Sequence, residues 1–445
     1  MCRSGSCMVR GTIVRDVVSR ALRAVRRIAS DFARAPREPN YAMFAVAFLC
    51  SATALQMLST TVLWEIWERT HDALMLGYAG LARALPVFVL ALPAGHAADR
   101  YSRKRILIAT WAAYSLGALG FAAFGASDDA PVWVFFALLF GLGCIRSFNA
   151  PSRGSLLPLL VREDNLENAL AWNSGIFQAS SILGPLLAGY ALSASMPTWV
   201  VYVSCSAMLA MSAAATCALK PRHAPQATGG RGLGPMLAGM SHIWKERTVL
   251  AAITLDMVGV LLGGATALLP LFADQILGGG AETLGWLRAA PYIGALASAI
   301  CLAARPRFTR AGPVLLAVVA AFGACMIVFG VSQIVWLSFA ALLVSGAVDN
   351  VSVVIRHALV QLRTPNRLRG RVSAVNGLFI ECSNELGAFE SGVVARHFGP
   401  VFSVVSGGIG TVLAVGAIAW LSPELRKLRE IREIEAEEER PAMSA

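Results

Sequence analysis

The sequence predicts an all-α integral membrane protein of twelve transmembrane helices, arranged as two pseudo-twofold-related six-helix bundles. Three observations predict it. The chain of 445 residues is 56% hydrophobic and only 15% charged, with mean hydropathy +0.61, whereas a soluble domain carries about 25% charged residues. Apolar runs recur along it that are long enough to cross the hydrocarbon core as helices, and lipid offers no partner to a free backbone polar group. The third observation is an internal repeat. Ala171, Asn173, Ser180, Leu183, Gly184 and Gly189 recur in order as Ala374, Asn376, Ser383, Leu386, Gly387 and Gly392, an offset of 203 residues. Arg153 and Leu156 recur at the same offset as Arg356 and Leu359, and Arg83-Ala-Leu-Pro86 recurs as Arg288-Ala-Ala-Pro291 with the offset slipped by two. Duplicated membrane halves, with a substrate path at their interface, are a common build of secondary transporters.

The elements follow in chain order. Residues 1–40 hold nine arginines and three acids. Val14, Val17, Val18, Leu22, Val25, Ile28 and Phe32 share one helical face, with most of the arginines off it. The segment has no continuous apolar stretch, so it is not a secretory signal. Three readings fit it: a basic amphipathic helix on the anionic inner leaflet, an over-extended start with the true beginning near Met43, or an organelle transit peptide. The N-terminal half, 41–219, has spans near 42–64, 74–95, 104–125, 131–149, 167–193 and 197–219. Residues 220–248 read as a cytoplasmic linker, rich in Pro, Gly and basic residues, with a short interfacial helix over 236–247. The C-terminal half, 249–422, has spans near 249–274, 283–304, 312–331, 334–357, 373–395 and 400–421. Residues 423–445 form a charged cytoplasmic tail.

The net charge of +11 is topological. Arg100, Arg103, Lys104 and Arg105; Arg153 and Arg162; Lys220, Arg222, Arg231, Lys245 and Arg247; Arg305, Arg307 and Arg310; and Arg363, Arg367, Arg369 and Arg371 fall in loops on one side. Asp128, Asp129, Asp274 and Glu282 mark the other side. That asymmetry places both termini in the cytoplasm of a cell (inner or plasma) membrane and argues against a nucleic-acid partner. The nine cysteines are scattered, without a CxxC pair, and the six histidines form no zinc-like cluster. No G-x-x-x-x-G-K-[ST] loop occurs, so no nucleotide is expected. No Ser/His/Asp, metal or cofactor constellation appears either. The chain is expected not to be an enzyme, and a proton gradient is its expected energy source.

Polar residues at membrane depth are costly and default to functional candidates. They are Arg83, Arg146, Asn149, Asn173, Gln178, Asp256, Arg288, Asp349, Asn350, Arg356, Glu381, Asn384, Glu385 and Glu390. Glu381 and Glu385 are i,i+4 and share a helical face, which suits a proton-coupling site. Static pairing with Arg83, Arg288 or loop arginines is the competing reading, and exposure near a helix end a third. Asp256 and Asp349 are the next coupling candidates. Arg83 and Arg288 hold matching positions in the two halves. They either flank a common cavity favouring an anionic or catechol-like substrate, with Asn173 and Asn376 as further lining candidates, or sit near a cytoplasmic gate.

Gly95-His-Ala-Ala-Asp99-Arg100-Tyr-Ser-Arg103-Lys104-Arg105 resembles the loop signature of the major facilitator superfamily, with Ala97 for Leu and Ser102 for Gly. There Gly95 lets another helix approach, and Asp99 accepts charge-assisted bonds that form in one conformation and break in the other. The second half has lost the acid in Arg305-Pro-Arg-Phe-Thr-Arg310, so the gating latch of Gly95, Asp99, Arg100, Arg103 and Lys104 is expected on one half only. Ser180 through Gly189, with Gly184, Pro185 and Gly189, resembles the superfamily's exporter-associated signature, with Ala188 in place of a glycine. Gly387 and Gly392 repeat it without the proline. A generic small-residue helix contact is the alternative. Leu81-Ala-Arg83-Ala-Leu-Pro86, Leu92-Pro-Ala-Gly95, Ala265 to Phe272, Arg288-Ala-Ala-Pro291, Asp349-Asn-Val-Ser-Val-Val-Ile-Arg356, Arg369-Gly-Arg371-Val-Ser-Ala-Val-Asn376 and Ser383-Asn-Glu385-Leu-Gly387 carry a narrower resemblance, to the enterobactin-exporter-like branch over about 41–422.

The resemblance implies a rocker-switch transporter with a proton-coupled efflux activity towards a siderophore, drug or related metabolite. Its partners would be a small-molecule substrate and the lipid bilayer, and any periplasmic or outer-membrane efflux partner is unspecified. An uptake permease of the same fold is the alternative, and a non-transporting sensor or scaffold a third reading.

Overall fold

The computed structural model describes residues 35–127, 129–222, 240–241, 243–303 and 310–428, without the side chains at positions 92, 96, 98, 99, 366, 367, 374 and 378. The expected amphipathic helix over 1–34 and most of the linker and tail therefore lie outside the described residues. Residues 240–241 and 243–245, within the expected interfacial segment, are helical.

Twelve long helices account for the described chain. They are α1 (Pro39–Thr70), α2 (Ala73–Arg100), α3 (Arg103–Gly125), α4 (Val132–Leu156), α5 (Leu166–Ser193) and α6 (Thr198–Ala218) in the first half. The second half has α7 (Arg247–Leu262), α8 (Gly280–Ala303), α9 (Ala311–Val331), α10 (Val335–Leu362), α11 (Asn366–Phe398) and α12 (Pro400–Leu421). Among the described residues eleven spans are, by length and composition, apolar enough to cross a membrane; α11 is the exception. It has 33 residues and holds Glu381, Asn384, Glu385 and Glu390 along its length.

Short connections make successive helices antiparallel. His71 takes a left-handed φ of 47° and closes α1 on the Trp67 carbonyl, and the Asp72 side chain then accepts from Leu74 N at 2.9 Å to cap α2. An N-cap carboxylate satisfies a donor that the helix leaves free. Gly399, at φ 92°, and Pro400 turn α11 into α12 in one step. With twelve passes, Pro39 and Leu421 lie on one face, here the terminal face.

The seventh span corrects the expectation of one helix over 249–274. α7 stops at Leu262, and the chain continues through a 3₁₀ turn, Ala265–Leu268, a short α turn and a π turn, Phe272–Ile276. A Cβ on Gly264 would sit 2.6 Å from the Gly387 carbonyl carbon, and one on Gly387 would sit 2.7 Å from the Leu261 carbonyl oxygen. The backbones of α7 and α11 touch where the helix breaks. The tenth and eleventh helices also run well past their expected ends at the terminal face, because their last turns are polar and hydropathy under-reads them.

The internal repeat is visible in the packing. In the first half α1 packs on α5, α2 on α4 and α3 on α6; in the second, α7 packs on α11, α8 on α10 and α9 on α12. The halves meet along α2–α11 and α5–α8. At the face opposite the termini these contacts are backbone-close. A Cβ on Gly392 would lie 2.9 Å from Gly77 Cα, and one on Gly189 would lie 2.9 Å from Gly285 Cα. Small residues permit that approach, and in lipid packing replaces the hydrophobic effect as the driving force between helices. Trp67 Nε1 donates to Asp274 at 3.0 Å and Arg396 pairs with Asp72, both across the halves at this face. Toward the terminal face, Gly95, Gly175, Gly370 and Gly377 have open space where a Cβ would stand. By these contacts, among the described residues, the halves are closed at one face and splayed at the other.

Candidate functional site

The charged side chains of α2, α4, α8 and α11 converge where the closed and splayed regions meet. α11 is one unbroken helix here, so Glu381 and Glu385 project one above the other, as the i,i+4 spacing requires. Arg146 Nη2, from α4, donates to both oxygens of Glu381 at 2.6 and 2.7 Å. Arg83 Nη2, from α2, donates to Glu385 Oε2 at 3.2 Å, and Arg146 Nη1 lies 3.9 Å from Glu385 Oε1. Glu381 and Glu385 of the second half are thus each bridged to an arginine of the first. Static pairing and coupling, two of the three readings of the sequence, are not exclusive: a bridge between moving halves is one that motion can break.

Arg83 also donates through Nη1 to Ser59 Oγ of α1 at 3.1 Å, and Arg288 Nη2, from α8, reaches the same oxygen at 3.3 Å. The two arginines at equivalent places in the repeat therefore meet at one hydroxyl. They line a cavity of about 210 Å³ between the halves, with Leu63, Gly80, Thr266, Tyr292 and Glu385 among its walls. A second, narrower hollow beside it is lined by Arg83, Arg146, Glu381 and Glu385. This is the central site. Sequence reading missed that Arg146 is the partner of Glu381, although Arg146 stood among the polar residues at membrane depth. It also missed Ser59 and Tyr292, which carry no pattern signal within an apolar helix.

Asn173 and Asn376 do not line this cavity, contrary to expectation. Asn376 stands nine residues before Glu385 on α11, which is about 14 Å toward the terminal face at 1.5 Å per residue. Asn173 holds the matching place on α5, with its Oδ1 buried and unpaired. The repeat relates the two asparagines to each other, not to the cavity. Asn149 and Asn350 tie neighbouring helices, donating to Thr110 at 2.8 Å and to Ser298 at 2.9 Å.

A second charged group lies inside the C-terminal half. Arg356 of α10 pairs with Asp256 of α7 and donates through Nε to Ser352 at 3.1 Å. Arg356 and Asp256 are only 4% and 7% exposed, so this pair is nearly dry. Asp349, two turns before Arg356, lines a small hollow with Asp256, Gly259, Phe322 and Ser352. Among the described residues no cation pairs directly with Asp349.

Among the described residues no heavy atom beyond its own helix lies within 4 Å of a Gly95 Cβ, so the close helix approach expected in the loop 95–105 is not seen in this conformation. Arg103 donates to Ser155 O at 3.3 Å, and Lys104 to the carbonyls of Cys217 and Leu219 at 2.7 Å, all within the first half. Arg100 is exposed, and the Asp99 side chain lies outside the described ones. Of the packing residues, Gly184 is pressed on α1, where its Cβ would lie 2.8 Å from Thr53 O. Pro185 lies inside α5, which faces α8, and a Cβ on Gly285 would meet its carbonyl at 2.7 Å. Among the described residues no group of His, Cys, Asp and Glu is gathered as a metal site would be.

Comparison with known proteins agrees with this architecture. The profile of the Major Facilitator Superfamily matches residues 44–388. The chain is 23% identical over 394 residues to the enterobactin exporter EntS of Shigella boydii serotype 4 (strain Sb227), covering 87% of this chain and 93% of that one. Its fold is similar to a bacterial homologue of the human lysosomal transporter Spinster in an inward-facing, unoccupied conformation, with TM-score 0.65, 12% identity, and 92% of this chain and 99% of that one covered. It is also similar to the nucleoside transporter NupG, with TM-score 0.70, 11% identity, and coverage of 86% and 99%.

Proposed function

The chain belongs to the Major Facilitator Superfamily and is a multi-pass membrane transporter rather than an enzyme; from that premise we propose that it exports a small molecule by alternating access, driven by protons. The observation that carries the reading is the central cavity, closed by glycine contacts at one face and bridged by ion pairs that run from one half to the other. The basic loops support a cytoplasmic location for the termini, and hence for the splayed face. In this orientation the cavity is open for loading from inside. Efflux is supported by the likeness to the enterobactin exporter, and a siderophore, drug or related metabolite is the proposed cargo class.

Protons act on the bridges. A proton on Glu381 or Glu385 removes a charge-assisted contact between the halves, worth about 1.5–3 kcal/mol. That biases a two-state equilibrium about ten- to hundredfold. Asp256 and Asp349 are the other carboxylates able to carry a coupling proton within the membrane. When the cytoplasmic face closes, Gly95, Asp99, Arg100, Arg103 and Lys104 form the latch, so Asp99→Asn leaves an inserted protein with slowed transport.

The test is gradient-driven export in proteoliposomes, with the cargo chosen from metabolites that accumulate in a deletion strain. Accumulation of cargo inside inverted vesicles on energising the membrane supports export. Accumulation in right-side-out vesicles supports the uptake reading instead. Retention of full gradient-driven transport by a variant carrying Glu381→Gln, Glu385→Gln, Asp256→Asn and Asp349→Asn together would place coupling elsewhere.

A further inference from the structure

The central site is unbalanced in charge. Three guanidinium groups, Arg83, Arg146 and Arg288, face two carboxylates, Glu381 and Glu385. Arg146 is matched by Glu381 and Arg83 by Glu385. Among the described residues no carboxylate lies within ion-pair distance of Arg288, and Glu385 acts on it only from farther away. Its one hydrogen bond goes to Ser59 Oγ, a neutral oxygen that already accepts from Arg83. Arg83 Nε is buried with no acceptor among the described residues. A cation held at membrane depth on a shared hydroxyl is poorly compensated, and intramembrane charges normally pair. Both groups with unmet capacity point to the same missing chemistry, an anionic oxygen acceptor.

The cavity fits that reading. Its other walls include Leu63, Leu76, Leu269 and the Tyr292 ring, which suit a carbon skeleton rather than a bare inorganic ion. At about 210 Å³ it is smaller than the ~300 Å³ lower end of ordinary ligand pockets. It holds a small organic acid, or the acidic group of a larger cargo that extends through the open face. Guanidinium forks match the paired oxygens of a carboxylate-type group.

We infer that Arg288, together with Arg83, binds an organic anion through a carboxylate-type pair of oxygens, in competition with Glu385. This rests on the cavity being the transport path. The competition follows from geometry: Arg83 cannot serve Glu385 and a cargo anion equally. The groups facing Glu385 are Arg83 of α2, Arg146 of α4, Arg288 of α8 and Glu381 of its own helix. A proton on Glu385 frees Arg83, so proton and anion favour each other at this site.

The experiment reads binding without transport. Thermal unfolding of the purified full-length chain in detergent is followed against 1-naphthoate, 1-naphthamide and 1-naphthylmethylamine, which share a ring system and differ in charge. The carboxylate is expected to raise the midpoint in proportion to its concentration, as a ligand of the native state does, and the amide and amine are not. Arg288→Gln is expected to weaken the carboxylate about tenfold or more, the loss of one charge-assisted contact. Arg288→Lys keeps the charge but loses the fork, and is expected to fall between. Glu385→Gln removes the competitor and is expected to tighten binding. If Arg288→Gln does not fold, the lysine and Glu385→Gln variants decide the matter in opposite directions. Stabilisation by the amide or amine equal to that by the carboxylate overturns the inference, as does no stabilisation by the carboxylate, or unchanged affinity in Arg288→Gln and Arg288→Lys. A chain that binds the carboxylate at Arg288 yet moves no cargo defeats the exporter reading alone. A chain that exports cargo with Arg288→Gln unaffected defeats the anion site alone.

Discussion

Two charge groups of this protein at membrane depth, one between the halves and one inside the second, are built alike and placed differently. Both set carboxylates against arginine at membrane depth, yet Arg83–Glu385 and Arg146–Glu381 run between the halves, whereas Asp256–Arg356 stays inside one. A pair within a half travels with it and need never break. A pair between halves changes partners whenever the halves rock. Exposure follows the division only in part. Arg146 and Glu381 side chains are each 43% exposed, Arg83 26% and Glu385 11%, against 5% and 8% for Arg356 and Asp256. The comparison teaches that similar residues serve as a fixed strut in one place and as a switch in another. Which role they take depends on whether their helices belong to one rigid body.

The largest expected effect breaks the strut. Asp256→Asn leaves Arg356 dry and without its counter-charge, and removing one partner of a buried pair costs about 3–5 kcal/mol. The thermal midpoint should fall markedly, and the double variant Asp256→Asn, Arg356→Gln should recover most of it. Full recovery of transport in the double variant confirms a strut. A stable but uncoupled double variant would make this group a switch as well, and would erase the comparison.

Breaking a bridge between halves should change populations rather than stability. Glu385→Gln is expected to shift the balance of the two access states about tenfold or more, since Glu385 is mostly buried and charge-assisted contacts are worth about 1.5–3 kcal/mol. Glu381→Gln should shift it less, because its more exposed pair is weakened by solvent. Spin-label distances between the halves at the two faces check both. Equal shifts would mean that solvent exposure does not grade the bridges.

The smallest effect is expected at the face opposite the termini. The Arg396 side chain is 53% exposed, and such pairs contribute about 0–1 kcal/mol. Asp72→Asn should move the access balance less than about fivefold, whereas a bulkier residue at Gly392, whose Cβ would already lie 2.9 Å from Gly77 Cα, should hold the halves apart and move it more, since overpacking costs about 1–3 kcal/mol. The same spin-label distances separate these outcomes. If Asp72→Asn has the larger effect, charge rather than close packing closes this face.

The sign of linkage at the central site sharpens the comparison further. If proton and cargo anion favour one another at Glu385, that carboxylate by itself does not drive exchange of one for the other. Export against an inward proton flow then requires a proton acceptor away from the anion, and Asp349 beside the strut is so placed. Asp349→Asn should abolish gradient-driven export in proteoliposomes while leaving carboxylate affinity within about twofold, because the hollow it lines shares no residue with the central cavity. A tenfold change in affinity would join the two groups into one site.

Much of this was legible in the chain alone. Apolar length determined the helices, because a backbone in lipid has no other way to satisfy its polar groups. The 203-residue repeat determined which helices are equivalent, and i,i+4 spacing put Glu381 and Glu385 on one face. The break after Leu262 was not legible, because it depends on the backbone of α11 arriving at Gly264. Neither was the pairing of Arg146 with Glu381, 235 residues apart, nor the meeting of Arg83 and Arg288 on Ser59, nor the distance of Asn173 and Asn376 from the cavity. Sequence periodicity reports which side of a helix a residue occupies, and the repeat reports equivalence between the halves. Depth along the membrane and partners across the interface depend on how two rigid bundles lean together, and that angle is set by glycine contacts and ion pairs that only the tertiary structure brings into reach.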